Sequence, residues 1–150
     1  MLTVVWAYRR TGKFAFHVLT GALETDPRTA GVPIEFANGV DAVVAAITKA
    51  LVAPDARVLV GWSFYSPDFV LMRDELQAVR ARVADARVLH VVGGVHAAAE
   101  PEATLRAGWD LAAIGEGERL VRDLVLCLGD GGEPRSVPGI ASLTSDGQLR

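Results

Sequence analysis

The sequence predicts an α/β domain: a flavodoxin-like or Rossmann-like three-layer sandwich on a five-stranded parallel sheet, with a short strand pair at its carboxyl end. Three observations predict it. Short, β-branched apolar runs alternate five times with segments of helical period. Two of those runs end in glycine clusters, Gly93-Gly94 and Gly115-Glu-Gly-Glu118. Apolar residues make up 51% of the 150, enough to cover a sheet on both faces.

Taken in order, Leu2–Ala7 reads as the first strand. Gly12–Glu24 reads as a helix with Phe14, Val18, Leu19 and Leu23 near one face. Pro33–Ala37 is a weak second strand, with proline at its tolerated first position. Asp41 can cap a helix reaching Val52, with Val43, Val44, Ile47 and Leu51 inward, and Pro54-Asp55 stops it. Arg57–Gly61 is the third strand. Ser66-Pro67 opens the next helix, serine as cap, and Phe69, Met72, Leu76, Val79 and Val83 form its buried stripe. Arg87–Val92 is the fourth strand, Pro101–Ala107 a short helix ended by Gly108, Asp110–Ile114 the fifth strand and Glu118–Leu128 the fifth helix.

After Leu128 the texture changes. Gly129 to Pro134 is a loop, Ile140–Thr144 a strand, and Ser145-Asp-Gly147 a turn signal. The return over Gln148-Leu-Arg150 is too short for a stable ribbon, so the chain is expected to be one part of a longer protein. The expected organisation is an α/β domain over 1–128 and a linker with hairpin over 129–150.

Five βα units wound right-handed give the strand order 2-1-3-4-5, with its topological switch point between the first and third strands. Ligands bind such sheets outside the carboxyl ends of the strands. That edge collects Tyr8, Arg9, Arg10, Thr11 and Gly12; Gly61, Trp62, Ser63, Phe64 and Tyr65; Gly93, Gly94, Val95 and His96; and Gly115, Glu116, Gly117 and Glu118.

Composition excludes several classes. A net charge of -3 gives no whole-chain electrostatic case for nucleic acid. No run approaches the ~18 apolar residues of a membrane span, and the amino terminus lacks a signal-peptide layout, so cytoplasmic residence is expected. Cys127 is alone, in the helical run Leu124-Val-Leu-Cys-Leu128, and reads as a buried structural thiol.

The loops leave alternatives open. Gly93-Gly94 suits close backbone approach by a planar or phosphate-bearing cofactor, and equally a tight turn. It is no dinucleotide fingerprint, and no P-loop is present. His96 is a candidate ligand-bonding residue, but nothing stands beside it at metal-site spacing, so no metal site is expected. His90 reads as a sheet residue, and His17 faces solvent or the sheet. Glu116 and Glu118 open a helix, where the dipole favours them. They can also hold a cofactor's ribose or amide groups. Phe64 and Tyr65 can wall a flat ligand or pack on the next helix, while Ser63 is placed to bond a ligand tail. No catalytic residue is assigned.

Together these motifs carry a resemblance. Val-Gly-Trp-Ser at 60–63, Gly-Gly-Val-His at 93–96, Pro101-Glu102, Gly108-Trp-Asp110, Gly115-Glu-Gly-Glu118 and Val137-Pro-Gly-Ile140 resemble the amino-terminal cobalamin-binding domain of cobalamin-dependent radical S-adenosylmethionine proteins. The resemblance spans essentially the whole chain. It implies cobalamin at the carboxyl edge, with Ser63 and Gly93-Gly94 lining the nucleotide-tail pocket, residues 8–12 beside the corrin and residues 115–118 bordering it. It also implies a following radical domain of the same polypeptide, with S-adenosylmethionine and an iron–sulfur cluster, in a parent enzyme such as a methyltransferase.

Two departures matter. Methionine-synthase-like domains carry Asp-x-His-x-x-Gly after the first strand, whereas this chain reads Ala7-Tyr-Arg-Arg-Thr-Gly12. Arginine stays protonated and cannot ligate cobalt, so cobalamin is expected base-off and histidine-off. The Cys-x-x-x-Cys-x-x-Cys motif of the radical domain is absent, so this chain is expected to bind cofactor without turnover. The competing expectations are a non-catalytic regulatory or protein-interaction module, and a small enzyme in which Glu116, Glu118 and His96 converge.

Overall fold

The computed structural model describes residues 1–150, apart from the side chain of Thr11. The strands are β1 (Leu2–Tyr8), β2 (Ile34–Asn38), β3 (Arg57–Ser63), β4 (Val88–Gly93), β5 (Leu111–Ala113) and β6 (Ile140–Ala141). The helices are α1 (Lys13–Thr25), α2 (Val40–Ala50), α3 (Phe69–Arg82), α4 (Val95–Ala99), α5 (Pro101–Arg106) and α6 (Gly117–Gly129). No helix among the described residues is long and apolar enough to cross a membrane.

The sheet runs β2-β1-β3-β4-β5-β6. Its first five strands are parallel in the expected order, and the topological switch lies between β1 and β3. The expected five-stranded, wholly parallel sheet is corrected at its edge. Ile140-Ala141 pairs antiparallel with β5, Ala112 opposite Ala141 and Ala113 opposite Ile140. Gly139 makes this possible: its φ of +91° turns the chain, and its carbonyl accepts the Ile114 amide at 2.8 Å. The turn at 145–147 forms as expected, with Leu143 opposite Leu149 and Ser142 exchanging backbone bonds with Arg150.

Alternation along each strand divides the interior in two. Val5, Ala7, Val58, Val60, Trp62, Val88 and Val92 face α2, α3, α4 and α5. Leu2, Val4, Trp6, Leu59, Val91 and Leu111 face α1 and α6. The second face is closed by Phe16 and Leu23 of α1 and by Leu120, Val121, Leu124, Val125 and Leu128 of α6. Those helical residues recur at three- and four-residue spacing, which puts them on one stripe.

The first face holds the one deeply buried histidine of the sheet. His90 in β4 is 1% exposed. Trp62 Nε1 donates to His90 Nδ1 at 3.1 Å, which assigns the ring proton to Nε2. The His90 amide donates to the Asp110 carboxylate at 2.7 Å, and Asp110 pairs with Arg80 at 2.9 Å. Burial pushes the imidazole down to about 3, and the Arg80 guanidinium adds to the effect.

Two expected helix caps are replaced. Gly39, at φ +90°, occupies the N-cap of α2, and Asp41 instead pairs with Arg82 at 2.5 Å. Ser66 lies in a single 3-10 turn, Ser66–Asp68, ahead of α3, and caps nothing. Its hydroxyl meets His96 Nδ1 at 2.9 Å. α4 is an additional helix where the glycine pair and His96 suggest a loop.

Candidate functional site: a slot at the carboxyl edge of the sheet

The second face changes character toward its carboxyl end. Along β3 the residues facing α1 and α6 run Leu59, Gly61, Ser63; along β4, Val91 then Gly93; along β5, Leu111 then Ala113. Large side chains give way to small ones on three neighbouring strands at the same height. The helices do not follow the sheet inward. Gly117 brings the start of α6 against α1, where an added Cβ would stand 3.1 Å from Leu19 Cδ2.

The result is a cavity of about 390 Å³ between sheet and helices. Gly61, Ser63, Gly93 and Ala113 floor it, and Val18, Leu19, Leu120, Val121 and Leu124 wall it. Trp6 forms its inner end. The Trp6 indole stacks on Phe16 at 5.1 Å and donates Nε1 to Thr20 Oγ1 at 2.8 Å. It lies across Gly61, whose Cβ, if present, would sit 2.3 Å from the Trp6 ring. The floor's backbone groups pair strand to strand. Among the described residues, the hydroxyl of Ser63 and the carboxylate of Glu118 line it at the carboxyl edge.

A second cavity, of about 200 Å³, opens over the edge toward α3. Arg9, Gly12, Phe64, Tyr65 and Asp68 line it, with Phe14, Ala15, Ser63 and Gly94 shared with the slot. Arg9 reaches across to Glu75 of α3 in an ion pair. Gly94 is the hinge of the rim: its φ is +97°, and an added Cβ would stand 3.1 Å from Ser63 Oγ. Gly94→Ala is therefore expected to cost about 1–3 kcal/mol and to narrow the passage, read from the urea midpoint. Phe14, Tyr65 and Val95 surround this rim and are exposed by 79%, 62% and 66%.

The expected site residues divide. Arg9, Gly12, Gly61, Trp62, Ser63, Phe64, Tyr65, Gly93, Gly94, Val95, Gly115, Gly117 and Glu118 line the two cavities. Trp62 does so from the backbone side, its ring being buried on the opposite face against His90 and Trp109. Phe64 is also buried, packed on Phe69 and Trp109. Tyr8 sits against Phe36, under Lys13, beside the cavities and outside them. Arg10 and Glu116 are exposed and line neither cavity. The side chain of Thr11 lies outside the described residues.

His96 lines neither cavity. α4 turns it inward, where it is 8% exposed, stacked on Phe69 at 4.7 Å and bonded to Ser66. It therefore does not meet Glu116 and Glu118 in one pocket, as an acid–base triad requires. The slot walls were missed in the sequence, although the loss of side-chain size at alternate positions of β3, β4 and β5 was there to be read.

Solved structures share this fold. The cobalamin-dependent S-adenosylmethionine radical enzyme OxsB, with aqua-cobalamin bound, matches with a TM-score of 0.72 at 18% identity, over 99% of this chain and 22% of that one. The radical S-adenosylmethionine methyltransferase TsrM of Kitasatospora setae, with cobalamin and a 4Fe–4S cluster bound, matches with a TM-score of 0.70 at 19% identity, over 97% of this chain and 27% of that one. TsrM with its tryptophan substrate and an S-adenosylmethionine analogue gives 0.72 at 19% identity. At such identities the likeness establishes the fold. The chain spans only about a fifth to 29% of these proteins' length. No protein-family profile and no curated protein sequence matches it.

Proposed function

We propose that the chain binds cobalamin, with the nucleotide tail in the slot and the corrin over the carboxyl edge. The observation that carries the reading is the slot itself: an apolar cavity, floored by glycine and alanine at the strand ends, in a fold shared with proteins whose structures hold cobalamin. The residues fit the group. Gly93 and Gly94 leave open a path that side chains would fill, and Ser63 stands at its mouth. Gly12 keeps the β1–α1 turn clear, where an added Cβ would stand 3.3 Å from the Ser63 carbonyl. Tyr8, Arg10 and Glu116 border the corrin without entering a cavity. Bound cobalamin supplies a cobalt centre able to carry a methyl group or an electron.

Cobalt receives no lower ligand from this chain in the proposed mode. Arg9, at the histidine position of methionine-synthase-like domains, is protonated and paired with Glu75. His96 is turned inward on α4, 8% exposed and lining neither cavity, and His17 lies against Phe36 at 5.1 Å. With the tail drawn into the slot and no histidine offered in its place, the proposed binding is base-off and histidine-off. The chemistry belongs to a radical S-adenosylmethionine domain of the parent polypeptide, with its iron–sulfur cluster, for methyl transfer or a related radical reaction. The exposed rim of Phe14, Tyr65 and Val95 gives that domain an apolar surface to cover. The same rim, without cofactor, is what a protein-interaction module presents.

Mixing the chain with methylcobalamin tests the reading. The expected result is retention on desalting and a blue shift of the main visible band. After photolysis to the Co(II) form, the electron paramagnetic resonance spectrum should lack nitrogen superhyperfine splitting. Loss of all colour on desalting, here and with the full-length parent, overturns cobalamin binding in favour of the interaction module. A nitrogen triplet overturns the ligand-free mode alone.

A further inference from the structure

We infer that the slot selects the lower base of its cobamide: it takes a benzimidazole-type base, apolar around its outer edge, and discriminates against a purine. This rests on the cobalamin reading above and assigns a specificity to its tail pocket.

The argument is one of unmet hydrogen bonds. Among the described residues, the depth of the slot is strand backbone within the sheet, apolar side chains and one indole. The backbone groups of Gly61 and Gly93 belong to the parallel pairing of β1, β3 and β4. Trp6 Nε1 is bonded to Thr20. The remaining inner surface is Leu19, Val91, Leu120, Val121, Leu124 and the Trp6 ring. Ser63 and Glu118 stand nearer the mouth, where the phosphate and ribose end of a tail would pass.

A dimethylbenzimidazole entering this space buries carbon against carbon. An adenine of nearly the same outline carries an exocyclic amine and two pyrimidine nitrogens along its far edge. These lose water in the depth of the slot, where the strand backbone lies within the sheet pairing and Trp6 Nε1 is committed to Thr20. Burying a polar group unpaired costs about 1–3 kcal/mol, so the adeninyl cobamide should bind on the order of tenfold to a hundredfold more weakly. Removing the base altogether forfeits the apolar burial, so cobinamide should also bind more weakly than cobalamin.

Gly93 gives a variant that tests the slot without unfolding the chain. Its φ lies outside the left-handed range, and an added Cβ would meet, among the described residues, Ala113 alone, with Cβ at 3.8 Å and the carbonyl oxygen at 4.0 Å, ordinary contacts. Gly93→Val should fold and project its methyls into the slot.

The experiment is equilibrium binding of cobalamin, adeninyl cobamide and cobinamide, each as the cyano or diaquo form, followed by visible absorbance and Trp fluorescence. Circular dichroism and the urea midpoint check the fold of Gly93→Val. The expected pattern is cobalamin tightest, adeninyl cobamide at least tenfold weaker, and a gap between them that collapses in Gly93→Val. Equal binding of the two complete cobamides, both tighter than cobinamide, overturns the selectivity and leaves the cobalamin reading standing. Equal binding of all three overturns the slot as the tail pocket. Binding of none, by this chain and by the full-length parent, overturns the cobalamin reading itself. A preference for cobalamin that survives in folded Gly93→Val places the discrimination elsewhere and overturns the inference.

Discussion

Gly61→Val should destabilise the fold by about 3–5 kcal/mol and close the inner half of the slot. Even the first carbon of a side chain would stand 2.3 and 2.4 Å from two atoms of the Trp6 ring. Trp6 has no easy way to yield. It is 2% exposed, stacked on Phe16 and tied through Nε1 to Thr20. Either the indole abandons that bond and stacking, or β1 and β3 separate where Trp6 and Gly61 pair. Both routes break buried contacts: the first the Phe16 stacking and the Thr20 bond, the second the pairing of β1 with β3. The measurement is the urea midpoint, expected to fall at constant slope. Gly21 provides the contrast: it lies inside α1 with nothing within 4 Å of an added Cβ. Gly21→Ala should stabilise by about 0.5–1 kcal/mol through helix propensity alone.

Acidification should weaken the fold through His90, by about 3–5 kcal/mol between neutrality and pH 3. In the folded chain the imidazole titrates at about 3, against 6.5 for an unperturbed histidine. Between those values the unfolded chain binds a proton that the folded chain refuses. Unfolding therefore takes up a proton in that window, and stability rises with pH across it. The contribution is complete above pH 6.5 and is lost as pH falls toward 3. Asp26 and Asp85, held at about 2 by hydrogen bonds from Arg28 and Arg87, begin to matter only near the ordinary carboxylate range. The loss between pH 6.5 and 4.5 thus belongs to His90. Urea titrations at half-unit steps should show it. His90→Asn, which cannot titrate, should be less stable at pH 7 and nearly flat across the same interval.

Much of the architecture was legible because alternation of short apolar runs and helical segments is a local signal. The parallel order of β1 to β5 followed from it. β6 was not legible as part of the sheet. It is two residues long, and its pairing with Ala112 and Ala113 is a contact between segments almost thirty positions apart. α4 was masked by the stronger start signal of Pro101, and with α4 unseen His96 looked like a loop residue. Ser66 carried the composition of a cap, yet a histidine from the next βα unit claimed its hydroxyl, a tertiary partner that local pattern cannot name.

The site was legible at its rim and hidden at its walls. Glycine at a strand end signals close approach wherever it occurs, so Gly61, Gly93, Gly94 and Gly115 stood out. Val18, Leu19, Leu120 and Leu124 obey the same helical spacing as Leu23 and Leu128, which line neither cavity. What separates the two groups is the height at which each meets the sheet, and whether a large or small residue lies opposite.

The two faces of the sheet draw on interleaved letters of the same strands. Odd-numbered positions of β3 and β4, ending in Gly61, Ser63 and Gly93, shape the slot, while even-numbered ones, Val58, Val60, Trp62, Val88 and Val92, fill the opposite core. A lineage can therefore reshape what the slot admits by changing Ser63, Gly93 and Ala113 while every residue that anchors α2 and α3 stays as it is. Gly61 is the exception, held in place by Trp6. Diversification of ligand preference in this chain should accumulate at the outer three positions and spare the innermost one.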